Sequence, residues 1–162
     1  MTGLFSYSTP EQLFEKLIKD FSAFYQAPSV DGLYAVLFPL YHLREWIYPG
    51  KYTSYANKPV VNRTGEELLH ETLFNMREYQ IVRDLCNNAK HFADDDSNLS
   101  NRTAELESLR FGYGRYGDSF GITHYLVDGV EIRDILWPVY MTYFEYFKGS
   151  KKNDSSDISH QH

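Results

Sequence analysis

The sequence has little of what extracellular, zinc-binding and membrane proteins rely on. Its 162 residues contain one cysteine, Cys86, which excludes an internal disulfide and a zinc site built from several thiolates. No apolar run approaches the ~18 residues of a membrane-spanning helix, and the first residues lack the pattern of a secretory leader. We therefore expect a cytoplasmic protein without membrane segments, in which Cys86 is a buried thiol.

An excess of basic charge is also absent. Lys and Arg number 16 against 22 Asp and Glu, a net charge of −6, and this field opposes general binding to nucleic acid, so no DNA partner is expected. A locally basic site remains open around Arg83, Lys90 and His91. Glu78 and Asp84 lie among these residues, however, as they would on an ordinary solvated helix face.

Apolar and aromatic residues are abundant instead. Hydrophobic residues make up 43% of the chain, enough for one domain of ordinary size with a single core. The 14 tyrosines offer apolar rings with polar tips, which suit a cleft or an oligomer interface as well as a core edge. We predict one domain over residues 1–148 and a disordered polar tail over 149–162.

Hydrophobic periodicity predicts a mainly α fold, an up-and-down helical bundle of four to five helices with a small β-hairpin before the last helix. Thr9-Pro10-Glu11-Gln12 is a helix-start sequence, and the helix after it should end before Pro28. Ser29 or Asp31 can cap a second helix that runs to about Tyr48.

The predicted second helix is apolar on two sides. Phe38, His42, Glu45 and Trp46 project opposite its main apolar stripe, so we expect the helix to be sandwiched in the middle of the bundle. His42 and Glu45 would then form a partly buried polar pair, either as a satisfied structural contact or as part of a site. Pro39 should bend this helix.

A second capping sequence, Thr64-Gly65-Glu66-Glu67, opens a helical pattern that reaches Phe92. The pattern fits either one long helix or two helices joined near residues 75–78. Before it, residues 48–63 lack periodicity and predict a tyrosine-bearing loop.

The last third of the chain changes character. Three glycines in residues 111–117 indicate a turn, and Asp128-Gly129 between β-branched residues predicts a hairpin over residues 122–132. Asp134 can cap a last helix, which we expect to end at Lys148.

Polar residues gather at the end of the helical pattern that closes at Phe92. At ~100° per residue they share about a third of the helix circumference. A cation can stabilise charge on a phosphate, and histidine can transfer protons near neutral pH, although Asn and His also suit a plain helix end. We predict a site with Arg83 and His91 as candidate catalytic residues and Asn87, Lys90, His42 and Glu45 as candidate binding residues.

A metal site is a third alternative. It would combine His42, Glu45, Asp84 and His91, but these residues show no sharp metal-ligand spacing such as His-x-x-x-His. No metal or other cofactor is predicted.

Three segments together resemble a group of uncharacterised bacterial helical proteins that are similar to the HEPN superfamily of helical bundles. They are Tyr41-His42-Leu43-Arg44-Glu45-Trp46, the segment from Asp84 to His91, and Val127-Asp128-Gly129. The resemblance covers about residues 30–147. It implies a helical bundle, commonly a homodimer, that is either a metal-independent ribonuclease or a non-catalytic domain.

The resemblance leaves both functions open. Catalytic members of the HEPN superfamily carry an Arg, then a polar residue and a later His, and Arg83, Asp84 and His91 follow that order here. The gap is longer than in those members, however, because seven residues lie between Arg83 and His91. A non-catalytic domain that binds a partner protein, a nucleotide or RNA is therefore the first expectation. The alternative is a ribonuclease of a toxin or phage-defence system that acts through His91 and Arg83.

Overall fold

The structure is a computed structural model that describes residues 7–90, 103–107, 118 and 122–156. In these ranges the fold is mainly α-helical, with a small antiparallel sheet before the last helix, which confirms the predicted fold class. The elements in chain order are α1 (Pro10–Gln26), α2 (Val30–Ile47), α3 (Gly65–Asn75), α4 (Arg77–Lys90), β1 (Thr103–Glu107), β2 (Thr123–Val127), β3 (Val130–Glu131) and α5 (Ile132–Ser156).

Side-chain caps fix the starts of the first three helices. At α1 the Thr9 hydroxyl accepts a hydrogen bond from the backbone N–H of Gln12, and the side-chain oxygen of Gln12 accepts one from the backbone N–H of Thr9. Thr64 and Glu67 make the same pair of hydrogen bonds at α3. At α2 the cap is Ser29, whose hydroxyl accepts from the Gly32 amide at 3.0 Å. Caps of this kind stabilise a helix by roughly 0.5–2 kcal/mol each, so these starts are encoded locally.

The helical pattern after Thr64 forms two helices. α3 ends at Asn75 and α4 begins at Arg77, because Met76 between them has an extended backbone (φ −81°, ψ 123°). This is the two-helix form of the prediction. α4 is described to Lys90, and Phe92 lies outside the described residues.

The predicted hairpin is confirmed and belongs to a larger sheet. Asp128 (φ 53°) and Gly129 (φ 76°) make the left-handed turn between β2 and β3, as a tight Asp-Gly hairpin requires. β2 also pairs with β1 in antiparallel register, from Thr103 opposite Val127 to Glu107 opposite Thr123. No strand was predicted from the sequence at β1.

Both predicted ends of the last helix need correction. α5 begins at Ile132, so Asp134 lies in its first turn and is not its cap, although an acidic residue there still complements the helix dipole. α5 continues past Lys148 to Ser156, so the first part of the segment predicted as disordered is helical. Residues 111–117 and 157–162 lie outside the described residues.

α2 is central to the bundle and packs against α1, α3 and α4. Its buried stripe includes Val36, Leu40 and Leu43, each 0% exposed, and Pro39 lies inside the helix. Phe38, however, is 51% exposed. The expectation that both sides of α2 are covered is wrong there, because the neighbouring helices pack on the Val36 stripe and leave the Phe38 side open.

Two tyrosine hydroxyls tie other helices to the backbone of α2. Tyr143 of α5 donates to the Leu40 carbonyl at 3.0 Å, and Tyr79 of α4 donates to the Tyr41 carbonyl at 2.8 Å. These bonds hold the second half of α2 against α5 and against the start of α4. None of the helices in the described ranges combines the length and the hydropathy that a bilayer crossing needs.

Candidate ligand pocket at Arg44 and His70

An open pocket of about 510 Å³ lies where the end of α2 meets the following loop and α3. Ligand pockets commonly occupy roughly 300–1,000 Å³, so its size suits a small molecule. It is lined by aromatic rings together with two cations, one carboxylate and one imidazole: Arg44, Glu45, Tyr48, Pro49, Gly50, Lys51, Tyr52, His70 and Phe74. We call it the Arg44 pocket.

Arg44 and His70 meet on the inner wall of the Arg44 pocket. Nη1 of Arg44 donates to Nε2 of His70 at 2.7 Å, and His70 is only 3% exposed. A guanidinium can only donate, so Nε2 must accept and a neutral His70 carries its proton on Nδ1. Burial, and then the charge of Arg44, lowers the pKa of His70, which keeps the ring neutral at neutral pH.

Tyr55 holds the other side of the His70 ring. Its hydroxyl contacts Nδ1 of His70, and with the proton on Nδ1 the tyrosine oxygen accepts. Burial, with a contribution from Glu71, raises the pKa of Tyr55 to about 12, so the hydroxyl stays protonated. The guanidinium of Arg63 lies 5.5 Å from the Tyr55 ring centre and pairs with Glu71. These contacts hold Tyr55 in its position next to His70.

Arg44 itself is incompletely paired. Its Nε is buried without a hydrogen-bond partner, and its Nη2 lies 3.9 Å from Oε1 of Glu45, beyond hydrogen-bond distance. A buried donor left unsatisfied costs about 1–3 kcal/mol. Nη2 is not buried in this way, so the open edge of the guanidinium is at Nη2, where an acidic oxygen can accept a charge-assisted hydrogen bond.

Aromatic rings form much of the remaining lining, and we call the part at Tyr52 and Phe74 the Phe74 wall. Tyr52 and Phe74 stack with ring centres 5.1 Å apart and planes at 10°, and His70 lies nearly parallel to Phe74 at 12°. Phe74 remains 44% exposed. Tyr48 folds back over Gly50, where a Cβ would lie 2.5 Å from the tyrosine ring, so the absence of a side chain at Gly50 permits this position of Tyr48.

The structure brings the predicted residues His42 and Glu45 together. Nδ1 of His42 lies 2.7 Å from Oε2 of Glu45, with side-chain exposures of 17% and 45%. Glu45 also lines the Arg44 pocket. The pair therefore joins the chain of polar contacts that passes through Arg44 and His70 to Tyr55.

Arg83 and Asn87 lie elsewhere. Both are exposed on α4, and the guanidinium of Arg83 lies 3.1 Å from the carboxylate of its neighbour Asp84. The start of α4 contacts the second half of α2, whereas Leu85 lies with Val30 at the beginning of α2. The two helices are thus antiparallel, which places Arg83 and Asn87 apart from His42 and Glu45.

The structure describes only some of the other residues predicted for a catalytic, binding or metal site. His91 and the side chain of Lys90 lie outside the described residues. Within the described ranges, no three His, Cys, Asp or Glu side chains are close enough together to hold a metal ion. Cys86 is buried, as predicted.

Arg44, His70 and Tyr55 were not predicted as site residues from the sequence. A signal for one of them was present: His70 lies between Leu69 and Leu73 on the buried side of α3, where a polar side chain needs a partner. That the partner is Arg44, 26 positions earlier, depends on tertiary packing and has no local signature.

Comparison of this chain with protein-family models, with curated proteins and with solved structures finds no match.

Proposed function

We propose that this chain is a HEPN-like helical domain with a non-catalytic binding role, and that it holds a small acidic ligand in the Arg44 pocket. One observation carries the proposal. Arg44 presents a mostly buried guanidinium that uses Nη1 on neutral His70, leaves Nη2 beyond hydrogen-bond distance of Glu45 and borders an open pocket.

The state of the neighbouring groups favours binding over catalysis. Both ring nitrogens of His70 are engaged, one by Arg44 and one by Tyr55. The lowered pKa of His70 and the raised pKa of Tyr55 keep both groups neutral, and neither is free to take a proton from a substrate. Such groups position Arg44 and do not react.

The charge of the pocket favours an acidic ligand. Arg44 and Lys51 supply two cations, and Glu45, the carboxylate among the lining residues, is already held by His42. An acidic oxygen would satisfy the open edge of Arg44, whereas a cationic or apolar ligand would leave Nη2 without an acceptor. Sites discriminate most strongly when a wrong ligand leaves a polar group unsatisfied.

A thermal-shift panel tests the proposal. Small organic acids, each beside its neutral amide, are added to the wild type, to Arg44→Met and to Lys19→Met, whose lysine is exposed on α1. We expect one or more acids, and none of the amides, to raise the melting temperature of the wild type and of Lys19→Met but not of Arg44→Met. If no acid has an effect, or if Arg44→Met responds equally, the proposal fails.

A second candidate function rests on the exposed face of α4. Arg83 and Asn87 lie one turn apart on this face, and α4 leads directly to Lys90 and His91. The exposure of Arg83, together with the resemblance to HEPN ribonucleases, supports a metal-independent ribonuclease that uses Arg83 and His91. Incubation of the wild type and His91→Ala with single-stranded RNA in chelator tests it: cleavage by the wild type alone supports the assignment. Cleavage by neither protein contradicts an enzyme, and equal cleavage by both contradicts the role of His91.

A further inference from the structure

We infer that the ligand of the Arg44 pocket is an aromatic monocarboxylate, with its ring on the Phe74 wall and its single carboxylate on Arg44. This inference rests on the proposed function and narrows it to a chemical class. Two features of the pocket carry it, one for the ring and one for the charge.

The ring follows from the aromatic wall. Tyr52, Phe74 and His70 present nearly parallel planes, and Phe74 lines the pocket and is 44% exposed. Aromatic rings prefer offset-stacked neighbours with centres ~4.5–7 Å apart. A planar ring placed in the pocket would continue a stack that the protein has already ordered, so little side-chain freedom is lost on binding.

The single charge follows from the charges that line the pocket. Arg44 and Lys51 against Glu45 leave one net positive charge, since His70 and Tyr55 are neutral. The chain as a whole carries a charge of −6. One carboxylate balances the pocket, whereas a phosphate dianion would leave an extra negative charge close to Glu45.

The free Nη2 of Arg44 suits a carboxylate as well. With Nη1 committed to His70 and Nε enclosed, Nη2 is the guanidinium nitrogen that an acidic oxygen can reach. A carboxylate oxygen can accept a charge-assisted hydrogen bond from it. Oε1 of Glu45 lies 3.9 Å from Nη2, which shows that an acidic oxygen can approach this nitrogen. The negative charge of Glu45 repels the carboxylate of a ligand bound there.

Four probes separate the two features in a calorimetric or NMR titration: phenylacetate, acetate, phenylacetamide and phenyl phosphate. We expect phenylacetate to bind the wild type about tenfold or more tightly than acetate, as stacking of one ring provides. Phenylacetamide and phenyl phosphate should bind more weakly than phenylacetate.

Three variants assign the effects to residues. Arg44→Met should reduce phenylacetate binding to the level of phenylacetamide. Phe74→Leu, at an exposed position that keeps its apolar character, should reduce phenylacetate toward acetate. Glu45→Gln should tighten phenylacetate binding, because it removes a nearby negative charge, and Glu15→Gln on the exposed side of α1 is the matched control that should leave it unchanged.

The contradictory results are distinct. Equal Arg44-dependent binding of acetate and phenylacetate would overturn the aromatic ring and leave the acidic-ligand pocket standing. Tighter binding of phenyl phosphate than of phenylacetate would overturn the single charge. If no probe binds in an Arg44-dependent manner, the proposed function falls together with this inference.

Discussion

Three arginines with mostly buried side chains differ in how completely they are paired, and this predicts different costs for removing them. Arg133 is 1% exposed and donates to Glu131, to Asp118 and to the Tyr25 carbonyl. Arg63 is 8% exposed and bonds Glu71 and the Lys58 carbonyl. Arg44 is 17% exposed and donates to His70, while its buried Nε has no hydrogen-bond partner.

The replacement Arg44→Met should change stability little. It removes a hydrogen bond from a charged donor and leaves Nε2 of the buried His70 without its partner, together about 1.5–3 kcal/mol, but it also removes an unsatisfied buried donor that costs about 1–3 kcal/mol. The guanidinium also lies 5.5 Å from the Tyr79 ring centre, a contact of about 0.5–2 kcal/mol, which the methionine stem partly replaces. The free energy of unfolding should therefore change by about 1 kcal/mol, or a melting-temperature shift of roughly 2–4 °C.

The replacement Arg133→Met should be far more costly. It leaves the carboxylates of Asp118 and Glu131, which are 4% and 2% exposed, buried without their cation. Breaking a buried pair by removing one partner typically costs about 3–5 kcal/mol. Arg63→Met should lie between the two, because Glu71 is 26% exposed and water can solvate it.

Urea denaturation of the wild type and the three variants at neutral pH measures these differences directly. We expect losses in the order Arg44, Arg63 and Arg133, from smallest to largest. If Arg44→Met loses as much stability as Arg133→Met, then Arg44 is a fully satisfied structural residue, and the reasoning that assigns its open edge to a ligand is refuted.

Two other predictions concern pH and backbone geometry. The pKa of His70 is lowered in the folded state, so the unfolded chain binds a proton first as pH falls below about 6.5. The urea midpoint of the wild type should therefore decline below that pH, and that of His70→Gln should decline less steeply. Parallel curves for the two proteins would contradict this prediction. Gly129 has φ +76°, a conformation that costs a side-chain-bearing residue about 1–2 kcal/mol, so Gly129→Ala should lower the melting temperature, whereas Gly149→Ala, inside α5 with open space around it, should not.

The helix starts and the hairpin were predictable because their signals are local. Thr9, Ser29 and Thr64 cap helices through contacts within three residues, and Asp128-Gly129 defines its own turn. The contact between His42 and Glu45 was predictable for the same reason, since side chains three positions apart on a helix are neighbours.

The remaining features depend on distant partners. β1 exists because it pairs with β2 some twenty positions later, and its short alternating pattern alone is a weak signal. The extension of α5 beyond Lys148 passes through polar residues that carry no apolar stripe. The Arg44 pocket requires α2, α3 and the intervening loop to converge, so composition and periodicity do not show that its residues meet.

The most direct test of the central claim follows the side-chain Nε–H resonance of Arg44 in ¹⁵N-labelled protein, assigned by its absence from the Arg44→Met spectrum. If the open edge of Arg44 receives the carboxylate of a ligand, this resonance should shift progressively and saturate during titration with phenylacetate, while the resonance of the fully paired Arg133 stays in place. A resonance of Arg44 that remains unchanged at saturating phenylacetate would contradict the claim.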